Sequence, residues 1–183
     1  MAKQAKKSTQ VALGGLAAAL CLVLMFLTGM IPFGDYALPA FAGLVLIAVA
    51  VENGGKAAAL VYVVVSVLGI FLVPRPEALL LFIFFFGYYP ILQVQLNKIR
   101  FKPVQYLAKF AIFNAAVVAA YLIVIYVLGI SEILESFGSF GKYSALVLLA
   151  MGNVFFGIYD FTVDNLRYVY INWFRPRFLR RVG

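Results

Sequence analysis

Residues 152–170 read GNVFFGIYDFTVDNLRYVY. The stretch is mostly apolar and aromatic, yet Asp160 and Asp164 stand one helical turn apart and Arg167 follows three residues later. In water such a helix would be a poor surface element. In a bilayer the same charges need partners, because an unpaired ion in hydrocarbon is costly. The fold therefore depends on which solvent surrounds the chain.

The rest of the sequence answers that question. Of 183 residues, 65% are hydrophobic and 12% are charged, with 16% aromatic; the mean hydropathy is +1.02. A soluble domain carries roughly 25% charged residues to hydrate its surface, and this chain falls far short. Its apolar residues form blocks close to the ~20 residues with which a helix crosses a ~30 Å hydrocarbon layer. The expected fold is all-α: a polytopic membrane protein in which residues 1–183 form a single domain of six transmembrane helices. The blocks lie near 9–31, 37–51, 57–74, 78–96, 104–129 and 144–171.

The connections are turns rather than linkers. IPFGDY carries Pro32 and Gly34, ENGGK a glycine pair, and VPRPE two prolines that cannot continue a helix. NKIRFKP is basic, and GISEILESFGSFGK is long enough for a short interfacial helix. The opening MAKQAKKST has the look of a signal-peptide n-region, but the apolar stretch behind it outruns an h-region and reads as a retained first span. With the N-terminus inside, all 15 Lys and Arg except Arg75 and Lys142 fall on the cytoplasmic side. This asymmetry predicts that both termini are cytoplasmic, because short basic loops resist translocation. The net charge of +8 is explained by the same loops, so no nucleic-acid partner is expected.

Catalytic chemistry is sparse. There is no His, Cys21 is the one cysteine, and no GxSxG, HExxH or Walker-type loop occurs. No enzymatic role, cofactor or metal is expected, and no nucleotide-binding segment is present to use ATP.

Other residues point to binding. In VALGGLAAAL, Gly14 with Ala18 and Gly15 with Ala19 are spaced four apart, which lets a second helix approach closely. That helix belongs either to this chain or to a partner subunit. Counting ~1.5 Å per residue, Tyr88, Asn114 and Asn153 reach roughly mid-membrane. Amides at that depth either bond one another across helices or line a ligand pocket. LLLFIFFFGYYPIL sets Phe82, Phe85, Tyr88 and Tyr89 before Pro90, which should kink the fourth helix and help open a cavity. Tyr121 would add a wall, and Asp35 with Tyr36 a lid. Asp160 and Asp164 fall at the depth of Lys109 and near Arg167, so neutralisation of cationic helix ends is the simplest role for these four. A proton or cation relay and a subunit contact are the alternatives.

The basic N-terminus leading into VALGGLAAALCLVL, the Pro-bearing second segment ALPAFAGLVLIAVAVENGG and six spans in this length resemble the S component of energy-coupling factor (ECF) transporters. The resemblance is one of layout over nearly the whole chain. It implies a subunit of the cell membrane that captures a vitamin-like small molecule from outside and binds a transmembrane coupling subunit through the first span. Release would then be driven by two cytoplasmic ATPases. In the family the contact motif is AxxxA; here Gly14 and Gly15 replace the first Ala, with Ala18 and Ala19 following. A mostly neutral, aromatic ligand suits the ring-rich wall. Two other readings remain open: a non-transporting membrane scaffold of the MreD-like, cell-shape kind, and a small ion-coupled carrier.

Overall fold

The structure, a computed structural model, describes residues 2–31, 34–126 and 144–179. Every regular element among them is helical. Helix α1 runs Ala2–Phe26 and tightens into a 3₁₀ turn at Leu27–Gly29, where the Thr28 hydroxyl donates to the Met25 carbonyl at 2.7 Å. Helices α2 (Gly34–Glu52) and α3 (Gly55–Leu72) are joined at Gly54, whose φ of +86° favours glycine. The Asn53 side chain ties this turn to α1 by donating to the Gln10 carbonyl at 2.9 Å. Helix α3 stops at Val73, which is held extended by the proline that follows.

The fourth apolar block differs from expectation. A smooth helix with a kink at Pro90 is replaced by two helices, α4 (Pro76–Leu81) and α5 (Tyr89–Leu96), separated by a π-helical turn at Phe82–Phe86. Pro90 sits in the first turn of α5, where its fixed φ suits a helix start. Beyond it, α6 spans Lys102–Tyr126 and α7 Ser144–Val169, the latter continuing as a π-helical segment, Tyr170–Leu179.

Among the described residues, five stretches are long and apolar enough to cross a membrane: Ser8–Gly29, Gly34–Glu52, Gly55–Leu72, Pro76–Leu96 and Lys102–Ala120. Helix α7 is 26 residues long and carries Asn153, Asp160, Asp164 and Arg167 among its apolar residues. The outer surface agrees with a lipid environment. Phe71, Phe155 and Phe161 are 82%, 69% and 69% exposed, and patches of such side chains are rare on soluble monomers.

Helix α2 is the hub. Its Ala42, Leu46 and Val49 pack with Ala17, Cys21 and Met25 of α1 and with Ala58, Val61 and Val65 of α3. Cys21 is fully buried there and donates its thiol to the Ala42 carbonyl. The opposite face presents Ile47 to Phe85, Tyr89, Phe113, Phe156 and Tyr159. Gly43 lets α2 approach the split helix: a Cβ there would collide with the Phe86 carbonyl and lie 2.8 Å from the Tyr159 hydroxyl oxygen.

Gly43→Ala should therefore lose about 1–3 kcal/mol to overpacking. Gly157→Ala, which meets nothing within 4 Å, should stay level or gain slightly from helix propensity. Unfolding titrations of the two variants in mixed micelles test the difference.

Candidate functional site

The split in α4–α5 creates a local problem. In a continuous α-helix Gly87 N–H would bond the Ile83 carbonyl, but here it reaches back to Phe82 at 2.8 Å. Pro90 has no N–H for the Phe86 carbonyl. Two acceptors are thus left at membrane depth, where an unsatisfied backbone group costs several kcal/mol. Tyrosines from other helices supply the donors: Tyr62 of α3 bonds Ile83 O at 2.7 Å, and Tyr159 of α7 bonds Phe86 O at 3.4 Å.

Next to this break, on the side facing α6 and α7, lies an aromatic seam. Phe85 is 4% exposed, with its ring centroid 4.9 Å from Tyr89, 5.0 Å from Phe113 and 5.6 Å from Phe156. Phe113 and Phe156 stack almost parallel at 4.8 Å and 9°. Gly152 lies against that stack, where a Cβ would come to 3.4 Å from the Phe113 ring, ordinary contact distance.

Asn114 and Asn153 close on each other. Each donates to the other's side-chain oxygen, at 2.9 and 3.0 Å, and each also donates to a carbonyl one turn back in its own helix, Phe110 at 2.8 Å and Leu149 at 2.7 Å. Of the other residues proposed to line a pocket, Tyr88 stands edge-on to Tyr62 of α3, at 6.3 Å, rather than joining the amide pair. Asp35 lies in the first turn of α2 with one buried carboxylate oxygen unpartnered, while Tyr36 is 70% exposed. The Tyr121 side chain and the loop with Glu132, Glu135 and Lys142 lie outside the described residues.

Towards the end of the bundle where α2 finishes, the charged residues form a single network. Lys109 is 2% exposed and its ammonium reaches both Asp160 oxygens at 2.9 Å. The Tyr89 hydroxyl donates to Asp160 Oδ1 at 2.6 Å, and the Gln93 amide donates to the same oxygen and to the Asp160 backbone carbonyl. Asp164 lies 3.9 Å from Lys109, accepts from Asn97 at 2.8 Å and stands 3.8 Å from Arg167. Arg167 in turn donates to the Pro90 carbonyl at 2.8 Å, and Gln105 donates to Asn97 at 2.5 Å.

Two carboxylates, one ammonium and one guanidinium leave the network formally neutral. It ties α5, α6 and α7 together and retains two buried acceptors without donors, Gln93 Oε1 and Gln105 Oε1. Among the described residues no His/Cys/Asp/Glu group is suited to a metal.

Tyr89, Gln93, Asn97 and Gln105 were not foreseen as members. Their spacing carried the signal: Tyr89, Gln93 and Asn97 repeat every fourth residue on α5 and its end, and Gln105 with Lys109 do so on α6, matching Asp160 and Asp164 on α7.

The small residues of α1 divide between two settings. Ala17, Cys21 and Met25 form its buried face. A Cβ on Gly14 would meet Val61 of α3 at 3.5 Å, whereas one on Gly15 would meet nothing within 4 Å. Gly14, Gly15 and Ala18 line an apolar groove of about 460 Å³ between α1 and α3, whose other wall includes Ala57, Leu60 and Val64. Ala19 is exposed beside it.

No family model, curated protein or solved structure matches this chain.

Asp160→Ala should cost about 3–5 kcal/mol, because it strands the Lys109 charge in a buried site. Adding Lys109→Met should restore most of the loss. Tyr159→Phe should cost about 1–3 kcal/mol by leaving the Phe86 carbonyl without its donor. Equal losses in the single and double variants at Asp160 and Lys109, read from the same unfolding titrations, would show that the pair is not the controlling interaction.

Proposed function

We propose that the chain is a non-enzymatic assembly subunit of the cell membrane, a scaffold with six spans and cytoplasmic termini that holds a transmembrane helix of a partner protein. One observation carries this reading: among the described residues, the seam between α4–α5, α6 and α7 is filled by the chain's own rings, and its Asn114 and Asn153 amides are satisfied by one another. The α1–α3 groove supports the choice of docking face. Its lining includes Gly14, Gly15, Ala18 and Ala57, and backbone approach at Gly15 meets no obstruction.

A second reading, capture of a vitamin-like solute for an ECF-type uptake system, is favoured by one feature. Asp35 offers a buried, unpartnered carboxylate oxygen at the start of α2, on the side that the charge asymmetry assigns to the exterior. In this reading the α1 groove would receive the coupling subunit.

A photo-crosslinking side chain tests the groove as a docking face, and a retained solute separates the two proposals. Placed at Leu60, 66% exposed at the groove, it should give a discrete protein adduct in native membranes, whereas at Ile158, 60% exposed on α7, it should label lipid. Gly15→Ile should abolish the Leu60 adduct without lowering stability. Identical products at both positions would overturn the scaffold reading. A small solute retained through purification, together with co-purifying ATPases, would establish the uptake reading instead.

A further inference from the structure

The segment beyond α7 has no role in the network or the groove. Tyr170–Leu179 reads YINWFRPRFL and continues α7 as a π-helical stretch. Tyr170 and Phe174 stack at 5.3 Å, and the Arg177 guanidinium lies over the Trp173 ring at 5.2 Å. Trp173 is 53% exposed, and Ile171 and Phe174 are also open to the surroundings.

The depth of this segment is fixed by an ion pair. Arg175 Nε lies 3.1 Å from Glu52 Oε1, and Glu52 is the last residue of α2. The apolar run of α2 ends at Glu52, so Arg175 stands at the edge of the hydrocarbon layer. Trp173 and Arg177, within one turn of it, occupy the headgroup zone, where indole rings prefer to reside.

The same end of the bundle has a surplus of positive charge. Lys56 opens α3 after the Gly54 turn, and Lys98, Arg100 and Lys102 occupy the α5–α6 turn, all exposed. Among the described residues, none of these four, nor Arg177, has a carboxylate within ion-pairing distance; the rim's Glu52 is engaged by Arg175. Zwitterionic lipid would bring its own cation into this field. A lipid with net negative charge would not.

We propose that Tyr170–Arg177 forms a seat for the headgroup of an anionic phospholipid, with the phosphate held by Arg177 and Arg175 and the glycerol region resting against Trp173. Guanidinium groups match phosphate oxygens with paired donors. Basic side chains beside a membrane-spanning helix attract acidic lipid through the same field. An acidic protein surface would not account for the exposed Ile171, Trp173 and Phe174, which extend the lipid-facing strip of α7 marked by Phe155, Ile158 and Phe161. The inference is independent of whether the chain is a scaffold or an uptake subunit.

Trp173 is the chain's one tryptophan, so its fluorescence reports this seat directly. The full-length protein is reconstituted into phosphatidylcholine nanodiscs containing the same mole fraction of tail-brominated phosphatidylglycerol or tail-brominated phosphatidylcholine. Quenching by the anionic lipid should exceed that by the zwitterionic one severalfold. The ratio should approach one at about 1 M salt, where the screening length falls to ~3 Å.

Arg177→Gln, which breaks no ion pair, should reduce the ratio by up to about fivefold, the enrichment expected for one cation at an acidic surface. Arg75→Gln, in the α3–α4 turn at the opposite end, should leave it unchanged. Equal quenching by the two lipids at low salt would overturn the proposal, as would a preference that survives Arg177→Gln undiminished.

Discussion

A helix broken inside a bilayer must find donors for the carbonyls it releases, and the arrangement of this protein follows from how that demand is met at Ile83 and Phe86. Water is not at hand, so the donors come from side chains on other helices. Tyr62 fixes α3 to one side of the break and Tyr159 fixes α7 to the other. Gly43 lets α2 lie against the same carbonyl that Tyr159 bonds. A kinked but continuous helix would have required fewer partners. The π-turn and restart require three neighbouring helices to hold specific positions at once.

The ionic network answers a second demand of the same kind. Lys109 and Asp160 are each costly to bury alone, and their mutual attraction offsets desolvation only when the remaining lone pairs are also met. Tyr89 and Gln93 complete the Asp160 shell, while Asn97 and Arg167 serve Asp164. An apolar core of the same volume would hold these helices about as well. What the charges add is register: sliding α7 by one turn past α5 would exchange Asp160 for Asp164 opposite Lys109 and leave Asn97 without its carboxylate. Arg167, bonded to the Pro90 carbonyl, links this network to the helix break.

Much of this could be read from the chain before any coordinates. From the second block onward, run length and breakers located the described helix ends to within about three residues, because in a membrane the hydrophobic span and the helical span are set by the same thickness; α1 begins earlier than its block, at Ala2, because its basic first turns are helical without being apolar. Charge economy grouped Lys109, Asp160, Asp164 and Arg167, since so few ions in such a chain have few places to go. The π-turn was hidden: FIFFF carries no residue that distinguishes a π-turn from an α-turn, and only the neighbouring tyrosines make the broken form stable. Asn114 and Asn153 were legible in depth but not in direction, because depth alone does not tell whether an amide faces its twin or a cavity. Tyr88 was misleading for a related reason. One position along a helix rotates a side chain by about 100°, enough to turn it from α7 towards α3 while Tyr89 stays on the ionic network.

The distribution of unused bonding capacity then indicates where this protein meets other molecules. Within the α4–α7 seam the Asn114 and Asn153 amides and the Ile83 and Phe86 carbonyls are engaged by the chain itself, and the rings pack edge to face or stacked. Capacity remains in three places: the Asp35 carboxylate where α2 begins, the Gly15 face along α1, and the cations where α2 ends. Inside the ionic network, Gln93 Oε1 and Gln105 Oε1 also lack donors. With the Asn114–Asn153 amides and the Lys109–Asp160 pair closed on themselves, the rim and one helix face are where we propose that lipid and neighbouring chains are met. Solvation there favours small residues that permit close approach and arginines that face the headgroups. That is the pattern seen on α1 and after α7.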